Sequence, residues 1–91
     1  MTVNKVVHGS YLTGNAIQVS SVRTMAECLQ ACAMACRTCV SINLSFEFHP
    51  GQVNTWTTCQ LNDAVADSTA NVTLTIGSSW DYYVVDSETC L

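Results

Sequence analysis

The stretch from Glu27 to Cys39, ECLQACAMACRTC, packs four of the chain's six cysteines into thirteen residues. In a chain of 91 residues, that density constrains the fold more than any other feature. Ordering backbone and side chains costs roughly 1.5 kcal/mol per residue and nearly cancels what so small a core can contribute. A staple is therefore expected, with sulfur as metal ligand, redox pair or disulfide. The length suits a single domain covering 1–91.

Local pattern places these cysteines. Thr24-Met25-Ala26-Glu27 has the form of a capping box, in which the Thr24 hydroxyl accepts from the Glu27 amide and the Glu27 side chain reaches back. A helix is predicted from there. Met25, Cys28, Leu29, Cys32 and Cys36 then share one stripe, while Glu27, Gln30 and Met34 point elsewhere. After Cys39 the period changes to two: Val40, Ile42, Leu44, Phe46 and Phe48 alternate with polar residues, the mark of a long half-buried strand. His49-Pro50-Gly51-Gln52 supplies a turn and Val53 to Asn62 returns, so a hairpin is predicted. Asp63 to Ala70 reads as a loop. Val72 to Ile76 alternates, Gly77-Ser78-Ser79 is expected to turn, and Trp80 to Val85 reads as a closing strand. Upstream, Val3 to Val7 and Ala16 to Val19 read as short strands around Gly9 and Gly14.

These elements predict an α+β fold, a single helix packed on a curved antiparallel β-sheet. Alternation raises one conflict, because it puts Cys39 on the face opposite Val40 and Ile42. Either something else covers the Val40 face or a bulge resets the register.

The sulfur chemistries separate on geometry. Cys28 and Cys36 lie two turns apart, roughly 12 Å along a helix, too far for one zinc ion with ligands near 2.3 Å. Cys36-Arg37-Thr38-Cys39 has redox-pair spacing, but it falls at a helix C-terminus, where the dipole opposes a thiolate. Disulfides remain, and no metal or other cofactor is expected.

Here the residues resemble a known family. Glu27-Cys28 followed by Cys32, then Cys39 with Ser41-Ile42-Asn43, then Cys59-Gln60-Leu61, is similar to the PAN/Apple module of extracellular proteins, over about residues 20–85. The resemblance implies two disulfides tying helix to sheet, Cys28 with Cys59 and Cys32 with Cys39. Apple-type members often join an N-terminal cysteine to a C-terminal one, and no cysteine precedes Cys28 here. Cys36 and Cys90 are left over, and their pairing with each other is the first expectation; the alternative is that Cys90 is free or crosses to another chain. Cys36 in place of Cys39 as the family's third cysteine would require an i, i+4 bond along one helix, a poor geometry.

Composition narrows the partners. Charged residues make up 11% of the chain and the net charge is -4, with Lys5, Arg23 and Arg37 the basic residues. No basic patch results, which excludes nucleic acid and heparin-like polymers. No apolar run reaches the roughly 18 residues of a membrane span, so membrane insertion of this segment is not expected. Met1 reads as a start codon added to an excised segment, because an even cysteine count in so short a chain fits an oxidising compartment. The expected setting is extracellular, in a secreted protein or a membrane-protein ectodomain. Asn43-Leu44-Ser45 and Asn71-Val72-Thr73 are glycosylation sequons compatible with it, with acceptors Asn43 and Asn71.

Catalytic residues do not stand out. His8 and His49 read as solvated loop residues, and Asp63, Asp67 and Asp81 lack the spacing of a calcium loop. No enzyme is expected. Aromatic rings anchor proteins and stack on sugars, which makes Trp56, Trp80 and Tyr82 the candidate ligand contacts, Trp56 foremost for its Asn and Thr neighbours. The resemblance implies a noncatalytic recognition module in protein-protein adhesion. A lectin for uncharged glycans and an architectural spacer are the alternatives, and the residues leave the oligomeric state open.

Overall fold

A computed structural model describes residues 2–35, 38–47, 50–51, 55–67 and 72–86. In chain order they form β1 (Val3–Leu12), β2 (Ala16–Ser21), α1 (Met25–Met34), β3 (Ser41–Glu47), β4 (Thr55–Asn62) and β5 (Leu74–Val85). The strands make one antiparallel sheet in the order β1-β5-β3-β4-β2, with α1 packed on β3 and β4. This is the α+β architecture, a helix laid on an antiparallel sheet.

The helix begins where the capping residues sit. The Thr24 hydroxyl accepts from the Glu27 amide at 3.2 Å, and Thr24 is itself extended, as an N-cap should be. Cys28, Cys32 and Ala33 are buried, Met25 and Leu29 pack beside them, and Met34 is exposed. The helix ends at Met34, two residues before the last position of the predicted stripe, where Ala35 departs from helical geometry and its N–H bonds the carbonyls of Ala31 and Cys32.

That early ending resolves the conflict at Cys39. Its N–H donates to the Ala35 carbonyl at 2.9 Å, so Cys39 belongs to the helix exit, and the strand starts only at Ser41. Strand alternation does not extend back to residue 39, and Cys39 joins Ile42, Leu44, Cys59 and Leu61 in the core beneath α1. The predicted half-buried strand is also corrected. Ser41 through Ser45 are all buried, so β3 is covered on both faces.

Two longer strands replace expected breaks. β1 continues through Gly9, whose φ of 71° is open to glycine at little cost. β5 runs unbroken through Gly77-Ser78-Ser79, the predicted turn. The β1–β5 ladder jumps from His8↔Asp81 to Ser10↔Ile76, so residues 77–80 form a bulge opposite Gly9 rather than a reversal. A Cβ on Gly77 would lie 2.8 Å from the Tyr11 ring, and that close approach is what glycine permits.

Candidate recognition site

Pairing register assigns each strand residue to a face. Ile42, Leu44, Cys59, Leu61, Tyr83 and Val85 face the helix side and form the core. Two bonds fix α1 to this layer. Cys28 is joined to Cys59 of β4, and Cys32 to Cys39 at the helix exit. Cys36 and Cys90 lie outside the described residues, as do Asn71 and His49.

The second face of the sheet is polar and aromatic. Ser41, Asn43 and Ser45 of β3 stand between Gln60 and Asn62 of β4 and Trp80 and Tyr82 of β5. Asn43 is fully buried, and its carboxamide stands in for a strand neighbour: Oδ1 accepts from the Leu12 N–H at 2.8 Å and Nδ2 donates to the Leu12 carbonyl at 2.7 Å. Nδ2 also donates to Gln60 Oε1 at 3.0 Å. This corrects the expectation of a glycan on Asn43, since the nitrogen that would carry it is enclosed by the fold. The loop after β4 closes the same face, with Ser41 Oγ donating to the Ala64 carbonyl at 2.6 Å and the Ala66 N–H donating to the Tyr82 hydroxyl at 2.9 Å. Asn62, equally buried, has neither carboxamide atom paired with a protein group.

The three candidate rings part company here. Tyr82 is only 1% exposed and its hydroxyl is taken by Ala66, so no side of it is open to a ligand. Trp56 is half-buried on the helix side, packed against the core and edge-on to Phe46, with ring centroids 5.7 Å apart. Trp80 is half-buried on the second face and pairs with Tyr11 at 5.2 Å, both rings bracketing Gly77. Ser45, opposite Trp80, shares a hydrogen bond with Thr57 at 2.8 Å. Exposed Ser78 and Ser79 lie in the strand between Gly77 and Trp80. Tyr11 escaped sequence reasoning because its pairing with Trp80 depends on the bulge.

Among the described residues, titratable groups gather around Asp81. Its Oδ1 lies 3.2 Å from Nδ1 of the exposed His8 and accepts from the Gly9 N–H at 3.3 Å, and its Oδ2 accepts from the Tyr83 hydroxyl at 3.4 Å. Burial, then the Asp81 charge and hydrogen bond, push the Tyr83 phenol up to about 12. This cluster fastens the β1–β5 bend. Asp63 and Asp67 lie exposed in the loop after β4, and no cluster of three or more His, Cys, Asp or Glu able to hold a metal occurs among the described residues.

A helix clamped by disulfides onto an antiparallel sheet is the architecture of the PAN/Apple class. The family model for the PAN domain matches residues 4–87, and the chain belongs to that family. No curated protein and no solved structure matches it. PAN domains are generally noncatalytic modules that bind protein or carbohydrate, typically outside the cell and within larger proteins. Among the described residues no helix is long and apolar enough to cross a membrane.

Proposed function

We propose that this chain is a noncatalytic recognition module of a secreted or cell-surface protein, and that it binds a protein partner in adhesion. The observation that carries this reading is β2. Of its six residues only Ser20 is not exposed, none is charged, and Ile17 and Val19 are 44% and 59% exposed. Depletion of charge with exposed apolar side chains is the compositional mark of an interface centre. Solvated strand edges instead carry lysine, proline or inward charge.

A second reading has its own support. The Tyr11–Trp80 pair with Ser78 and Ser79 offers a neutral ring and hydroxyls, which suits an uncharged glycan. One experiment separates the two. The domain, displayed as a multimer, is applied to cells of the source organism before and after protease or glycosidase treatment. Binding lost to protease alone supports the protein reading, and binding lost to glycosidase alone supports the glycan. Absence of binding to untreated cells and to a glycan array leaves an architectural spacer.

A further inference from the structure

Asn43-Leu44-Ser45 is a glycosylation sequon set in the middle strand of the sheet. β3 has β4 on one side and β5 on the other, and Asn43 lies opposite Gln60 and Tyr82 in the two ladders. Its side chain is fully buried and both Nδ2 protons are in use, one donated to the Leu12 carbonyl at 2.7 Å and the other to Gln60 Oε1 at 3.0 Å. Ser45, whose hydroxyl completes the sequon, is buried as well and shares its hydrogen bond with Thr57.

We infer that this sequon is a branch point in the biogenesis of the chain: an oligosaccharide on Asn43 and the closed sheet exclude each other, so folded copies are bare at Asn43 and copies glycosylated there are kept from folding. This rests on the reading of the chain as part of a secreted or cell-surface protein, because that route exposes sequons to the transferase. In the transfer step, Asn43 Nδ2 bonds to the anomeric carbon of a lipid-linked oligosaccharide. The bond from that carbon to the lipid pyrophosphate breaks, the pyrophosphate leaves with the electron pair, and one Nδ2 proton passes to base. The glycosylated carboxamide then has one N–H for two acceptors, the Leu12 carbonyl and Gln60 Oε1. The sugar must also stand where the lost partner stood, and an interior packed to crystal density has no room there for a pyranose ring.

Chain order leaves the sequon open when it is first made. Of the groups that enclose Asn43, Leu12 precedes it, whereas Gln60 follows by 17 residues and Tyr82 of β5 comes later still. The Cys28–Cys59 bond that holds the helix against β4 also waits for Cys59. β3 therefore lacks both of its strand neighbours while it emerges. Synthesis from Asn43 to Val85 takes about 2 to 8 s at about 5 to 20 residues per second, an interval in which transferase and fold compete for the same nitrogen. Once β4 and β5 are in place the competition is over, because β3 is held on both sides and frees Asn43 only by giving up two ladders.

The oxidised chain, made in cells that lack N-glycosylation, and the same chain reduced and unfolded are each given to an oligosaccharyltransferase with lipid-linked oligosaccharide. Cleavage after Glu47 separates Asn43 from the Asn71 sequon for mass spectrometry. Asn43 should stay bare in the oxidised chain and be occupied in the reduced one. On reoxidation, chains occupied at Asn43 should fail to recover the Cys28–Cys59 and Cys32–Cys39 bonds, while bare chains from the same mixture recover them. In secreting cells, Ser45→Ala keeps Asn43 but ends the sequon, so the ratio of its secreted fraction to that of wild type should be higher with glycosylation active than with glycosylation blocked. A glycan on Asn43 of the oxidised chain, occupied chains that recover both bonds, a reduced chain left bare at Asn43, or a secretion ratio that glycosylation does not move overturns the inference. None of these outcomes touches cell binding by the oxidised chain, so protease-sensitive binding would leave the recognition reading standing where this inference fails.

Discussion

Tyr83 is a phenol whose ionisation the fold resists. Its hydroxyl is buried and donates to Asp81, and its pKa is raised from 10.0 to about 12. A raised value means that the folded state keeps the proton when the unfolded chain has already lost it. Stability from this group is thus whole below pH 10 and is lost as the pH rises toward 12, by about 1.4 kcal/mol per pH unit. Brief urea titrations at pH 9, 10 and 11 should show that loss, and Tyr83→Phe should flatten it. Two asparagines on the second face make a complementary pair. Asn43 and Asn62 are both fully buried, but Asn43 satisfies the Leu12 peptide whereas the Asn62 carboxamide has no protein partner. Asn43→Leu strands a buried N–H and C=O and should cost about 2 to 4 kcal/mol, while Asn62→Leu removes an unsatisfied group and should be neutral or stabilising by about 1 kcal/mol. Denaturant midpoints check the assignment: that of Asn43→Leu should fall, and that of Asn62→Leu should hold or rise.

Among the elements, α1 depends most on covalent support. It has ten residues, below the length at which helices persist alone in water. Its two bonds restrain different things. Cys28–Cys59 closes a separation of 31 residues and holds the helix against β4, a contribution of about 3.5 kcal/mol by loop entropy, whereas Cys32–Cys39 closes a separation of 7 and is worth about 2.5. The double variant Cys32→Ala/Cys39→Ala should therefore speed amide exchange at Ala33 and Ala35 while β3 and β4 stay protected. Cys28→Ala/Cys59→Ala should lower the thermal midpoint further and loosen the sheet with it. The helix start was legible in the sequence because capping is local: Thr24 and Glu27 are three residues apart. The β3–β4 hairpin was legible through His49-Pro50-Gly51 and the period of two. β5 was not, because Gly77-Ser78-Ser79 looks like a turn in one dimension. Only the lateral approach of Tyr11 shows why glycine stands there in an extended strand. The burial of Asn43 was hidden for the same reason, since its cover, Leu12, comes from 31 residues away. Of the three candidate rings, chain pattern marked them as large and flanked by polar residues but carried no information on which face of the sheet each would take.

For the molecule as a whole, the clamp and the recognition edge are one assembly. Cys59 faces α1 through its bond to Cys28, and its backbone pairs with Leu44 on one side and Ser20 of β2 on the other. Release of that bond therefore loosens the middle of the sheet and its outer edge together. For a chain of this length net stability falls at about 5 to 14 kcal/mol, and the two bonds together, about 6 kcal/mol, exceed the lower figure. Reduction should consequently remove the helical circular dichroism, quench the ordered near-ultraviolet signal of Trp56 and Trp80, and expose Ile42, Leu44 and Leu61 to a hydrophobic dye. A chelator should change none of these signals. Full structure retained in strong reductant would show that the core alone suffices.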